Sequence, residues 1–262
     1  MKDAIAAFLS ADYPWKDRLH YLPSTDSTNT RLKAMAAQGA PHGTVLIAGH
    51  QTGGRGRMGR SFHSPAGKGI YMSILLRPNC PPTELMHLTC AAAAAMCDAV
   101  ENAAGFRPGI KWTNDLVWGK RKLGGILTEL GFGADGKVAF AIVGIGINCC
   151  QQPEDFPAEI RDIACSLGME PADRSKLAAE LIRWLYDLRQ EMFSEKEAIM
   201  ERFTHRCITI GQRISILRGE AVQHGKALTV DQDGALHVLL DNGTETVVNS
   251  GEVSIRGMYG YV

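Results

Sequence analysis

The chain has 262 residues, enough for one or two domains, and 45% are hydrophobic, so a sizeable core is available and extensive disorder is not expected. Lys plus Arg and Asp plus Glu are equal at 28 each, which disfavours nucleic acid as the main partner, because phosphate binding normally leaves a basic excess. No apolar run reaches the length of a membrane span, and the opening Met-Lys-Asp-Ala-Ile-Ala-Ala-Phe-Leu-Ser is too short and interrupted for a signal peptide.

In chain order, an extended stretch at 18–22 leads into Ser24-Thr-Asp-Ser-Thr-Asn29, followed at 31–37 by helix-forming residues. Ser or Thr side chains at such a start are expected to cap the helix. Runs 44–50 and 69–76 read as strands with a glycine- and arginine-rich loop between them. The alanine- and leucine-rich segment 83–104, bounded by Pro81-Pro82 and Gly105, reads as a packed helix. Strands at 109–112 and 125–130 flank a polar turn, and 137–147 reads as another strand. Segment 175–203 is amphipathic, with Leu177, Leu181, Ile182, Leu185 and Leu188 on one side, as one helix or as two broken near Ser194.

Beyond about residue 206 the texture changes. Turns recur at Gly211, Gly219, Gly225, Asp233-Gly234 and Asn242-Gly243, and the last two pairs between β-rich runs signal tight hairpins. The expected organisation is a larger α/β domain over 1–206 and a small all-β domain over 207–262, which docking on the larger one would help to stabilise. The seven cysteines include no Cys-x-x-Cys pair, and Cys149 is adjacent to Cys150, so they read as reduced, mostly buried thiols of a cytoplasmic protein. Without a Cys/His cluster at ligand spacing, no structural zinc is expected.

The most informative run is Gly53-Gly-Arg-Gly-Arg-Met-Gly-Arg60, four glycines and three arginines in eight positions. Glycine allows close backbone approach to a ligand, and arginine offers a permanent cationic fork that matches carboxylate and phosphate. The run occurs once, between strands, unlike the repeated tails that track single-stranded nucleic acid. It also lacks the Lys-Ser/Thr pair of a phosphate loop. A second constellation is Lys111-Trp-Thr-Asn-Asp115 followed by Arg121-Lys-Leu-Gly-Gly-Ile126. Taken alone, Lys122 is more commonly a solvated hairpin lysine, and Asn114-Asp115 plain turn chemistry. Asn and Asp can also hold Mg²⁺ or orient an amine, and a lysine ammonium can bridge two anions that repel each other.

Taken together, Asp26-Ser-Thr-Asn29, Gln51 to Arg60 with Ser64-Pro65, the two constellations just named, Gly144-Ile-Gly-Ile-Asn148 and Ser250-Gly-Glu-Val-Ser-Ile-Arg256 occur in an order that resembles the biotin protein ligases, from about Leu19 to Arg256. The resemblance implies an α/β fold with a mixed sheet backed by helices, related to class II synthetases, plus a C-terminal SH3-like β-barrel. It implies that biotin and MgATP give biotinyl-5′-AMP and pyrophosphate, and that a lysine of a biotin carboxyl carrier protein then attacks the mixed anhydride. By position, Ser27, Thr28, Asn29 and Gln51 would line the biotin ring, with Gly125 nearby, while Arg55, Gly56 and Arg57 would close over biotin and the adenylate. Lys122 would contact the biotin carboxylate and the α-phosphate, making Lys122, Arg57 and Asp115 the catalytic set. Arg60 and Phe62 would lie on the nucleotide. Asn114, Asp115 and Asn148 would serve nucleotide, metal or the incoming lysine.

Two departures stand out. Phe62 replaces a tryptophan of many relatives, and only about eighteen residues precede the catalytic region, so no DNA-binding repressor domain is expected. A monomer or a homodimer fits equally. The nearest rival is a lipoate ligase or octanoyltransferase, which shares the fold but lacks the glycine-arginine loop.

Overall fold

The computed structural model of the chain describes residues 1–249, with the backbone alone at 190, and the backbone of residues 254–257. Seven strands form a mixed sheet: β1 (Leu19–Leu22), β2 (Val45–Ala48), β3 (Gly69–Leu76), β4 (Gly109–Lys111), β5 (Asp115–Trp118), β6 (Arg121–Phe132) and β7 (Val138–Asn148). Their spatial order is β1-β2-β3-β7-β6-β5-β4. β1 and β2 run parallel and the remaining neighbours antiparallel.

The period-two alternation of side chains gives this sheet two different faces. On the back face, Ile70, Met72, Ile74 and Leu76 of β3 join Val143, Ile145 and Ile147 of β7 in the large core. Each such side chain contributes about 1.5–3 kcal/mol by leaving water. The helices α3 (Leu88–Ala104), α4 (Arg174–Ser194) and α5 (Lys196–Arg206) cover that face. Ala91 to Ala95 of α3 are all buried, and their small side chains let the helix lie close to its neighbours. On the front face, α2 (Thr28–Ala37) packs Leu32 and Ala36 on Leu46, Leu75 and Ile142 as a smaller cluster. Arg77 holds the C-terminal end of α2 by donating to the carbonyls of Ala36, in its last turn, and Ala40, just beyond it.

The five-stranded second sheet comprises β8 (Arg213–Arg218), β9 (Ala221–Val230), β10 (Leu236–Leu240), β11 (Glu245–Val248) and β12 (Ser254–Gly257), antiparallel in the order β11-β10-β9-β8-β12. The expected tight turns are present, with Gly234 at φ +82° and Gly243 at φ +83°, values that favour glycine. Gly234 also seats this sheet on the larger one. Its carbonyl accepts the Trp112 indole N–H at 2.9 Å, and the Trp112 backbone N–H donates to Thr209 Oγ1 at 2.9 Å. Of the motif at 250–256, residues 250–253 lie outside the described residues.

Several expectations need correcting. Helix α1 (Lys2–Phe8), which buries Ile5 and packs on α4, was not foreseen. The helix expected from 83 starts at Leu88, because Pro82–Leu85 forms a separate 3-10 turn. The amphipathic segment is two helices that meet at Glu195, in agreement with the expected break near Ser194. The expected polar turn contains a strand, β5, and β6 begins at Arg121, so Lys122 lies within a strand rather than before it. All seven cysteines are free and buried, as expected. Among the described residues no helix is long and apolar enough to cross a membrane.

Candidate active site

Glycine keeps part of the front face open. On β7, a Cβ at Gly144 would sit 2.0 Å from Asn29 Oδ1, and one at Gly146 would sit 2.6 Å from the Phe62 ring. Across the sheet, a Cβ at Gly125 would lie 3.1 Å from Asp115 Oδ1 and 3.3 Å from Lys122 Nζ. Two neighbouring strands, β6 and β7, therefore give up side chains where others must lie on the sheet. The result is a cleft lined by Ser27, Thr28, Asn29, Gln51, Arg55, Gly56, Arg57, Arg60, Phe62, Asn114, Asp115, Lys122 and Gly125.

One end of the cleft is neutral. Residues 24–26 pair with 51–53, through Thr52 N–H to Thr25 O at 2.9 Å and Gly53 N–H to Asp26 O at 2.8 Å, which brings the two motifs side by side. Ser27 occupies the N-cap position of α2 but makes no side-chain cap bond. Gln51 supplies the cap instead: its Oε1 accepts the Thr28 N–H at 2.8 Å and faces Thr28 Oγ1 at 3.2 Å. Gln51 Nε2 donates to Ser64 Oγ at 3.0 Å. Ser73, fully buried on β3, lies 2.7 Å from Thr28 Oγ1 and 2.6 Å from Asn29 Oδ1. Asn29 Nδ2 donates to Leu127 O at 3.1 Å and to Glu129 Oε2 at 2.9 Å. The Asn29 amide is thus committed on both its oxygen and its nitrogen, and it fixes the floor of this end.

The other end is cationic. Arg55, Arg57, Arg60, Lys111 and Lys122 line the cleft, and among its described lining residues the carboxylate is that of Asp115. In a chain of zero net charge this concentration of one sign marks an anion site. The loop folds back on itself, with Arg55 bridging Ser61 and Gly56 N–H donating to Arg60 O at 2.7 Å. Arg57 then reaches across to donate to Asn114 Oδ1 at 2.9 Å. Burial lowers its pKa, with Asp115 opposing the shift; guanidinium remains charged. Lys122 Nζ donates to Asp115 Oδ1 at 2.7 Å, and Asn114 Nδ2 approaches the same oxygen at 3.2 Å.

A β-bulge aims the lysine. Asp115 pairs with Gly125 and Leu116 with Gly124, but Val117 pairs with Lys122, so Leu123 is the extra residue. Strict alternation would put Lys122 on the same face as Gly124, toward the helices; the bulge turns it to the face of Gly125 and Asp115. Beyond the end of β7 the Lys122 backbone is held by another segment, donating to Ile163 O at 2.7 Å and accepting from Cys165 N–H at 2.8 Å.

Asn148 departs from expectation. Its Nδ2 donates to Cys165 O at 2.9 Å and its Oδ1 accepts from Gln151 at 3.0 Å, so it braces the segment beside Lys122 and does not line the cleft. The expected Mg²⁺ pair is also altered. Asn114 Oδ1 faces the Arg57 guanidinium, and Asp115 Oδ1 takes two donors. Among the described residues no three His, Cys, Asp or Glu side chains are grouped to hold a metal. Asn114 and Asp115 therefore do not fit a resident Mg²⁺ cage. Sequence reasoning missed Ser73, Glu129 and Lys111 as parts of the site. Alternation along β3 and β6 was the signal for the first two, but only once the sheet's faces are known.

Two family profiles match: the Biotin/lipoate A/B protein ligase family at residues 21–148 and the Biotin protein ligase C terminal domain at residues 209–256. The chain is 35% identical over 239 residues to the bifunctional ligase/repressor BirA of Bacillus subtilis, covering 88% of this chain and 72% of that protein. It is 34% identical to the biotin--[acetyl-CoA-carboxylase] ligase of Mycobacterium tuberculosis, covering 94% of this chain and 91% of that one. The biotin protein ligase of Aquifex aeolicus, solved in complex with biotin and ATP, superposes with a TM-score of 0.76 at 29% identity, over 91% of this chain and 98% of that one.

Proposed function

The chain belongs to the biotin/lipoate A/B protein ligase family, and from that premise we propose that it activates biotin with ATP as biotinyl-5′-AMP and transfers it to a lysine of a biotin carboxyl carrier protein. The observation that carries this reading is the division of one cleft into a neutral, hydrogen-bonded end and a cationic end. A substrate with an uncharged ureido ring and a terminal carboxylate matches that division, with the ring against Ser27, Thr28 and Gln51.

In the first step the carboxylate attacks the α-phosphorus of ATP and pyrophosphate leaves. Two anions must approach, and Lys122, oriented by Asp115, offsets their repulsion where the charge develops. Arg57, Arg55 and Arg60 present their guanidinium groups to the phosphates from the loop, and Phe62, lying on Gly146, offers a ring face to the base. Magnesium enters with the nucleotide as MgATP rather than as a resident ion, in keeping with the reluctance of Mg²⁺ to dehydrate into all-protein cages. In the second step the carrier amine attacks the mixed anhydride and AMP leaves; the loop shields this hydrolysis-prone intermediate from water. We read residues 207–262 as a second domain that supports the turn carrying Asn114 and Asp115 through Trp112. The seven free thiols support a reducing, cytoplasmic location.

The test is ATP–pyrophosphate exchange with biotin, lipoate and octanoate side by side. Biotin alone should support rapid exchange. Preference for lipoate or octanoate would overturn the assignment within the same family.

A further inference from the structure

We infer that Glu129 is a positioning residue that ties the neutral end of the cleft to the arginine loop; the inference rests on the biotin-activating reading above. Glu129 stands on the front face of β6. Its Oε2 accepts the Asn29 amide N–H at 2.9 Å, while its Oε1 faces Lys33 Nζ at 3.7 Å and Arg55 Nη1 at 3.8 Å. One carboxylate thereby links a strand, the first turn and body of α2, and the loop. Its side chain is 17% exposed, against 54% for Arg55 and 49% for Lys33, so the anion is the sheltered member and the cations come to it. A sheltered carboxylate is costly without cationic partners, and of these two only Arg55 belongs to the loop.

The consequence is a shared anchor. The group that holds the floor residue Asn29 also draws the loop down over the cleft, on the opposite side from the Arg57–Asn114 contact. Replacing the carboxylate by an amide keeps an acceptor for Asn29 and removes the attraction for Arg55. The loop should then open more often, and a ligand that fills the neutral end should bind more weakly although Lys122 is untouched.

The test uses the full chain as wild type, Glu129→Gln, Arg55→Gln, the double variant and Lys33→Gln. Without any substrate, limited trypsin cleavage after Arg57 reports loop opening. Glu129→Gln and Arg55→Gln should each raise the cleavage rate about two- to fivefold, the range of a half-exposed ion pair. The double variant should exceed neither, because both remove one interaction, and Lys33→Gln should match wild type. In pyrophosphate exchange, Glu129→Gln should raise the KM for biotin and keep kcat. Unchanged cleavage in both single variants, or additive effects in the double, would overturn the inference. Arg55→Gln changes an exposed side chain, so it reports even if Glu129→Gln folds poorly. Wild-type protein that fails to exchange with biotin would instead sink the functional reading and leave the proteolysis result standing.

Discussion

Ser73 and Ile74 are neighbours on β3, both fully buried, and they face opposite sides of the same sheet. Ile74 belongs to the apolar core beneath α3 and α4. Ser73 sits among Thr28 and Asn29 under the cleft. The back face is filled by large branched side chains, whereas the front face carries glycine at 125, 144 and 146 and polar groups whose hydrogen bonds are already made. Burial alone therefore does not separate stability from function here. What separates them is whether the buried group is satisfied by packing or by directed bonds.

The sharpest break of that comparison starts on the back face. Ile74→Ala should lower unfolding free energy by about 2–5 kcal/mol, as for other buried large-to-small changes, while the biotin KM of the folded fraction stays at the wild-type value. Urea unfolding and exchange kinetics on one preparation check both halves; a large KM change would mean the two faces are coupled. On the front face, Lys122→Ala should do the reverse. Loss of an electrostatic contact at a reacting centre is worth roughly 3 kcal/mol, so exchange should fall by orders of magnitude with the circular dichroism unchanged. Near-normal exchange would remove Lys122 from the mechanism.

A smaller effect is expected at the rim. Arg57→Gly removes a charge-assisted contact of ~1.5–3 kcal/mol and should speed escape of the adenylate roughly ten- to a hundredfold. Quenched-flow comparison of bound and released adenylate decides this, and equal release rates would rule out a clamp. Ser73→Ala should cost about 1–3 kcal/mol by leaving a buried acceptor unpaired. Unlike Ile74→Ala, it should show that cost partly as a raised biotin KM, measurable by titration calorimetry.

The smallest effect lies away from both faces. His42 packs against Trp15, and its Nδ1 accepts the Arg77 backbone N–H at 2.9 Å; burial pushes its pKa from 6.5 down to about 4. Because the folded state resists a proton that the unfolded chain accepts, its contribution is complete above pH 6.5 and is lost as pH falls toward 4, levelling below. His42→Gln should flatten the stability profile between those limits without changing exchange at neutral pH. Identical profiles for the two proteins would remove His42 as the source.

The hairpins of the second sheet were legible from Asp233-Gly234 and Asn242-Gly243, because a positive φ is a local demand that few residues meet. The glycine-arginine loop was legible for a similar reason, since its composition states its chemistry before any fold is known. The helices on the back face were legible through periodicity, although α1 was too short to signal itself. The site residues were legible mainly as motifs, and their division of labour was not. Asn29 and Gln51 were expected to line the ring end and both line the cleft, but that Asn29 also bonds Leu127 and Glu129 and that Gln51 also caps α2 was not legible.

Sequence by itself thus determined which residues are apolar at which period, where the chain must turn, and that one loop is built for an anion. Tertiary structure alone decided which way Lys122 points. A strand's side chains alternate strictly, so a single extra residue at Leu123, visible only in the pairing of β5 with β6, exchanges the two faces. It also decided that Glu129 meets Asn29, 100 positions away, and that Asn148 turns from the cleft to brace Cys165. Such meetings depend on register between strands distant in the chain. Local propensity acts over a few residues and carries no record of that register.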